Sequence, residues 1–490
     1  MRILFKLKVI GLRQIIRIIV SVYKHGFTLL ALLDSVKNTD DKYACIQDDY
    51  EQLYYKDLYE QSVAMAYFLN QRQGIGSNSK VIIASANSVA FVKMLFAASG
   101  LGADIFLLNH NQKEEYLSHF LAAQKVDLII GNSEFANNFV TSKIPFLNYN
   151  NILVSPATTG LRPVVKRKKG SIIILSSGSK GKPNAEKRKI SAIKYLNPLI
   201  DIIEKLQLKE YRSVLISVPI FHGYGLAALF MSIFMTKRIS ITSRFDAQKT
   251  LQLLQGEKTD CWIAVPLMIQ RVYALPNAKL IWLKSIISGG DILPPSVICL
   301  VHKMSNAKIY NMYGTSQTGV CTIATNAHLL SFPNSIGKCI PGIKNKIVDS
   351  NGFTVPINTA GILLVKCKWS SDNKKNHYVN TGDIVYKNSE GYYFYKGRQD
   401  DLMVIGGENI YPAELEEIIY QNADIEWVKA KINTDDNYIT KLHIDIVLHE
   451  NIDFNRESFL AWMVIRMPKY MIPKSIALLD TAPNTKLMQL

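Results

Sequence analysis

Apolar positions change their spacing several times along this chain. Over residues 1–35 they recur at helical intervals beside a basic stripe, because Lys6, Arg13, Arg17 and Lys24 are spaced to fall on one side of a helix. Ile15, Ile16, Ile19, Val20 and Val22 occupy the other faces. Such a segment predicts one of two things: a helix lying in the interface of an anionic membrane, or a helix packed on the first domain with its cations solvated. From about 45 to 395, short apolar runs alternate with helix-length amphipathic stretches. Residues 81–84, 128–130, 171–175, 214–218, 239–242 and 284–287 read as buried strands, and the segments between them as helices. This alternation predicts an α/β fold, with a large domain of parallel-sheet layers over 36–396. Within it, 335–396 carries shorter strands between turns at Gly337, Gly342, Gly352, Gly361 and Gly391, a small β-rich subdomain. After Gly397 a strand–helix–strand pattern predicts a small α+β lid domain over 401–490.

Composition narrows the classes. With 490 residues, 48% apolar and 20% charged, the chain is neither disordered nor collagen-like and is long enough for several cores. No N-terminal run reaches the ~18 uncharged residues of a membrane span. No small-residue cleavage site follows a short apolar core, so export is not expected. Six cysteines lie far apart, without a C-x-x-C pair or zinc-like histidine spacing, which points to reduced thiols in a cytoplasmic protein. The net charge of +17 fits nucleic acid, an anionic membrane surface or phosphate-rich small molecules, or simply reflects a Lys-rich residue usage. No zinc-finger, basic-zipper or aromatic RNA-binding signature accompanies it, so no nucleic-acid partner is expected.

The sharpest local signal is Ser176-Ser177-Gly178-Ser179-Lys180-Gly181-Lys182-Pro183, directly after an apolar strand. Hydroxyls, glycines and lysines on such a turn can converge on an anion, and nine basic residues but one acid lie between Lys166 and Lys189. The spacing is not that of the G-x-x-x-x-G-K-[ST] loop. Weaker motifs follow in order: His222-Gly223-Tyr224-Gly225, then Ser288-Gly289-Gly290-Asp291, then Tyr313-Gly314-Thr315-Ser316-Gln317-Thr318-Gly319. After these come Asn380-Thr381-Gly382-Asp383 and Gly397-Arg398-Gln399-Asp400-Asp401, the last continuing to Gly406-Gly407-Glu408-Asn409. Singly, each is an ordinary turn or cap.

In this order, over roughly 45–490, the motifs resemble the adenylate-forming superfamily of acyl-CoA synthetases, luciferases and carrier-loading adenylation domains. The resemblance implies ATP-dependent activation of a carboxylic acid to an acyl-adenylate, then transfer to the thiol of coenzyme A. A fatty or similarly apolar acid is expected, with ATP, Mg²⁺ and coenzyme A as cofactors. It further implies that Ser177, Gly178, Ser179, Lys180 and Gly181 surround the terminal phosphates and that Tyr313, with Gly314, stacks on adenine. Ser316 would reach the α-phosphate, Asp383 would accept from the ribose hydroxyls, and Arg398 would assist there. His222 would stand between acyl and nucleotide pockets, Gly289 and Gly290 would let both ligands pass the backbone, and Asp400 would be the hinge within 397–400.

Three charged positions of the family pattern are altered. Gln317 stands where an acid binds Mg²⁺, and an amide oxygen brings no charge to the metal. Asn184 replaces a lysine. The terminal catalytic lysine aligns with Gln489, or with Lys486 if a gap is allowed. Transfer to a carrier-protein phosphopantetheine, and a degenerate adenylate- or acyl-binding protein, are the competing functions.

Overall fold

The computed structural model describes residues 11–39, 43–108, 117, 120, 121, 123–152, 170–177, 183–188, 192–367, 377–405, 408–434, 440–449 and 452–481. The N-terminal segment forms two helices, Leu12–His25 and Leu29–Val36. Gly26, at φ 68°, ends the first, and the Thr28 side chain accepts from the Ala31 N–H to cap the second. The first helix is tied down by polar contacts. Ser21 Oγ donates to Asp34 at 2.7 Å, the His25 ring lies 3.4 Å from the same carboxylate, and Lys37 approaches it at 2.7 Å.

All six expected strands form, with ends displaced by one or two residues: Lys80–Ala84, Leu128–Gly131, Ile172–Ser177, Ser213–Ile216, Arg238–Ile241 and Ser285–Gly289. They divide between two sheets. In the six-stranded sheet, Lys80–Ala84 lies parallel between Asp104–Leu108 and Leu128–Gly131, and Ile172–Ser177 runs parallel beside Asp104–Leu108. In the 13-stranded sheet the parallel centre runs Lys308–Thr315, Ser285–Gly289, Cys261–Ala264, Ser213–Ile216, Arg238–Ile241, Cys45–Gln47. These central strands are buried along nearly their whole length, which is why most of their positions are apolar, although Cys261–Ala264 falls in a stretch that the sequence reads as helix.

The β-rich region does not stand apart. Gly319–Ala324 and Ser335–Cys339 carry the central sheet onward in antiparallel pairs to its strands, although Leu363, Val365 and Val385 share a small core of their own. Turn-rich composition marks short strands but not the edge on which they pair. Beyond residue 403, Ile425–Thr434, Thr440–Leu448 and Ser475–Leu478 make a three-stranded sheet under the helices Pro412–Ile419 and Arg456–Arg466. Leu415, Ile444 and Met463 centre its core, while Trp427 and Val447 pack into the main one. Gln270 Nε2 donates to the Glu426 carbonyl at 2.8 Å and Arg271 approaches the Glu426 carboxylate at 3.5 Å, which seats this sheet against the larger body. No described helix is long and apolar enough to cross a membrane.

Asp34 gives the attachment of the first helix a pH dependence. Burial opposes its charge, yet His25, Lys37 and Ser21 together hold its carboxyl well below the ordinary value of 3.8. A depressed folded-state pKa means the stabilisation is complete above that ordinary value and is lost as pH falls below it. Asp34→Asn should therefore loosen Leu12–His25 by about 1–2 kcal/mol near neutral pH, read as faster amide exchange over residues 12–25 alone. The difference from the parent should shrink as pH is lowered below about 3.8.

Candidate active site

Strand register builds the polar centre of the site. Val379–Lys387 pairs antiparallel with Tyr393–Arg398, and Asp383 lies directly opposite Arg398. Arg398 Nη1 donates to Asp383 Oδ1 and to the Thr381 carbonyl, each at 2.8 Å. Gly382, between those acceptors, has φ 72°, and a Cβ there would sit 2.7 Å from the guanidinium. Only glycine leaves the arginine its place over the turn.

Tyr313, at a bulge in Lys308–Thr315, donates its hydroxyl to the other Asp383 oxygen at 2.5 Å. Burial, reinforced by the Asp383 charge, pushes the Tyr313 phenol well above its usual pKa, so it remains a donor. Burial disfavours the Arg398 charge, but Asp383 more than offsets this and raises its pKa. Asp383 is only 4% exposed, and its two oxygens keep acceptor capacity beyond these partners. Three separate sequence motifs thus meet in one ion-paired cluster.

The run from Tyr313 to Gly319 is a hairpin, with Thr315 opposite Gly319. Thr315 Oγ1 and Thr318 Oγ1 lie 2.8 Å apart and brace the tip, where Ser316 and Gln317 sit half-buried. Among the described residues no group of three His, Cys, Asp or Glu side chains could hold a metal ion. Gln317 can offer a metal only a neutral oxygen.

His222 stands at the N-terminus of the helix Gly223–Phe234. The preceding loop is set by Asn87, whose Nδ2 donates to the Val218 carbonyl at 3.0 Å while its Oδ1 accepts from the Ile220 N–H at 2.7 Å. Asn87 follows Lys80–Ala84 in the six-stranded sheet, so one buried amide joins the two sheets beside His222. On the same helix, Tyr224 donates to the Ile287 carbonyl at 2.7 Å. Burial raises its pKa well above the usual value, so the phenol stays protonated. A Cβ on Gly289 would lie 2.9 Å from the Met312 carbonyl and 3.3 Å from the Tyr224 ring, so this strand end must be glycine. Gly290 follows at φ 84°.

Behind Tyr224 opens a cleft of about 600 Å³, mouth included, walled by Ala228, Met231, Cys261, Ile263 and Met312. Burial pushes the Cys261 thiol up to about 12, so it is a neutral wall and not a nucleophile. Lys237 is the cation in the lining, and its Nζ donates to the Tyr211 carbonyl.

Other expected positions fall elsewhere. Ser176 and Ser177 lie on the strand Ile172–Ser177, not in the turn, with Ser177 opposite Pro183 of an antiparallel strand. Gly178, Ser179, Lys180 and Gly181 are outside the described residues, as are Lys486 and Gln489. Asp400 is exposed in the turn Gln399–Asp401, immediately after Arg398. The bridging role of Asn87 and the cleft were not read from the sequence: a lone Asn after a strand has no distinctive signal, and the cleft draws on several distant segments. Asn87→Ala would strand the Val218 carbonyl and the Ile220 N–H in the interior. It should lower stability by about 2–4 kcal/mol in urea unfolding with an unchanged m-value.

Comparison with known proteins agrees with this geometry. The family description "AMP-binding enzyme" matches residues 32–370. The 2-succinylbenzoate–CoA ligase of Lactococcus lactis subsp. lactis (strain IL1403) is 24% identical over 416 residues, covering 84% of this chain and 88% of the relative. Among solved structures, the anthranilate CoA ligase AuaEII in complex with anthranoyl-AMP superposes with a TM-score of 0.84 at 17% identity, covering 94% and 95% of the two chains. The o-succinylbenzoate CoA synthetase MenE of Bacillus subtilis, in complex with the acyl-adenylate OSB-AMP, gives 0.78 at 20% identity, covering 93% and 96%. These two structures share the fold. The motifs that meet at Asp383 and the family match over most of the chain lead to one conclusion: the chain belongs to the AMP-binding enzyme family.

Proposed function

We propose that this protein activates an apolar monocarboxylic acid with ATP and passes the acyl group to coenzyme A. The observation that carries this reading is the convergence of Tyr313, Asp383 and Arg398, from three separate motifs, on one buried polar cluster that could hold a nucleotide's hydroxyls. The apolar cleft, partly walled by Met312 of the same strand, would take the acid. A carboxylate oxygen would attack the α-phosphorus of ATP, the bond to the pyrophosphate oxygen would break, and an acyl-adenylate would form. The thiol sulfur would then attack the acyl carbon and AMP would leave.

In this reading Asp383 takes the ribose hydroxyls, Tyr313 faces the adenine and Ser316 the α-phosphate. Ser177, Gly178, Ser179, Lys180 and Gly181 surround the outer phosphates, His222 separates acyl group from nucleotide, and Asp400 is the hinge of the C-terminal domain. The first step brings two anions together, so Arg398, Lys180 and, if the gapped alignment holds, Lys486 carry the electrostatic load, while Gln489 offers only a neutral amide. Gln317 is the side chain that would hold Mg²⁺, which neutralises phosphate charge when bound.

The relatives named above act on aromatic acids, and 2-succinylbenzoate carries a second carboxylate. The lining here is apolar apart from Lys237, Ser232 and the tyrosines Tyr211 and Tyr224, which suits an apolar acyl group, a fatty acid first and an aryl acid second. Gln317 and Gln489 also favour a second reading, a binder that has lost turnover.

A pyrophosphate-release screen over fatty, aryl and dicarboxylic acids, with coenzyme A, with a phosphopantetheinylated carrier and with neither, tests the assignment. Thioester formed only with coenzyme A is the expected result, and no release with any acid would leave the binder. Asp383→Ala should raise KM for ATP at least tenfold or abolish release, since charge-assisted hydrogen bonds contribute about 1.5–3 kcal/mol each. Gln317→Glu should lower the Mg²⁺ concentration giving half-maximal rate. Gln489→Lys should speed pyrophosphate release at least tenfold, about 1.4 kcal/mol of barrier. If Lys486→Ala instead abolishes a robust rate and Gln489→Lys changes nothing, Lys486 is the catalytic lysine.

A further inference from the structure

The helix Leu12–His25 is mounted with its polar side inward. Ser21 and His25 are buried, Gln14 Nε2 donates to the Phe234 carbonyl at 2.7 Å, and Ile15 and Ile18 pack on the main core. The outward side carries Leu12, Ile16, Ile19, Val20 and Tyr23, which are 62%, 53%, 63%, 58% and 93% exposed. On a helical projection these five fill a continuous arc of about 100°. Arg13, Arg17 and Lys24 continue that arc along one edge, all exposed. No acid precedes Asp34 in the sequence, and the first ten residues add Arg2, Lys6 and Lys8.

Five large apolar side chains on one helix face are more than scattered surface residues. The cations decide what covers them. A second copy packed face to face would bring the same arginines against each other, between chains that each carry +17. An anionic lipid surface satisfies both halves of the pattern, with apolar side chains below the headgroups and cations among the phosphates. We infer that the outward face of Leu12–His25 docks this protein on an anionic membrane, with the helix axis in the membrane plane. The inference is independent of the reaction proposed above. It does have a spatial consequence: Phe234, which Gln14 holds, adjoins Met235 in the cleft lining, so the apolar cleft lies one helix away from the lipid.

The test is co-sedimentation of the full chain with vesicles of phosphatidylglycerol mixed with phosphatidylcholine, and with vesicles of phosphatidylcholine alone. Binding to the first should exceed binding to the second, and it should fall with salt as the screening length drops from about 10 Å at 0.1 M to about 3 Å at 1 M. Ile16→Asp with Ile19→Asp should reduce partitioning at least tenfold. Arg13→Gln with Arg17→Gln should reduce it about 25-fold, roughly fivefold per cation. Both pairs are exposed, so the thermal midpoint should not move. Tyr23→Trp should show a blue-shifted emission only with the anionic vesicles. Unchanged partitioning of the Ile16/Ile19 variant overturns the inference, as does equal binding to neutral vesicles. So does a parent that sediments as a dimer without lipid while that variant is a monomer, which would give the face to a second copy.

Discussion

A carboxylate withdrawn from water must be given partners, and in this protein Asp383 finds them on two other stretches of chain. The next strand supplies Arg398, which the Thr381 carbonyl also holds, and a distant hairpin supplies Tyr313. Removing one member of such a set leaves the others buried without compensation, so the cluster constrains how the antiparallel extension of the large sheet meets its parallel centre. The conformation of Gly382, the bulge at Tyr313 and the register of Asp383 opposite Arg398 are all conditions of that one ion pair.

A second constraint lies between the two sheets. Two sheets that share one apolar core could still slide past each other, since apolar contact is non-directional. Asn87 adds direction, because its amide meets one donor and one acceptor on the loop before His222. Within the larger sheet, Tyr224 adds a further directed bond, from the helix after His222 to the Ile287 carbonyl. His222, the cleft wall and the strand end at Gly289 therefore hold a fixed relation, set by neutral hydrogen bonds rather than by charge.

The charge pattern around this frame is unusual for chemistry on phosphates. By resemblance, neutral amides stand where the family pattern carries charge at Gln317 and Asn184, and at Gln489 if the terminal lysine aligns there rather than with Lys486, while the chain as a whole has an excess of cations. Part of that excess is carried by the N-terminal helix, at Arg13, Arg17 and Lys24. Distant cations raise the local concentration of an anionic ligand but do little for a particular bond being made.

The sequence by itself determined six of the strands, Ser213–Ile216 and Ser285–Gly289 among them, since residues buried on both faces of a sheet are mostly apolar and such runs are visible without a structure; Cys261–Ala264, in a stretch that reads as helix, needed the fold. It also determined which motifs matter and their order, because glycines, hydroxyls and acids at turns are local requirements. The basic stripe at Arg13, Arg17 and Lys24 was equally legible. Only the tertiary structure decided that the apolar side of that helix faces outward, because periodicity gives the faces of a helix and not its orientation on a core. The pairing of Asp383 with Tyr313 and the joining of the β-rich strands to the central sheet also required the fold. So did the walls of the cleft. All of these are contacts between segments far apart in the chain, where spacing carries no information and hydrogen-bond geometry and packing choose the partner.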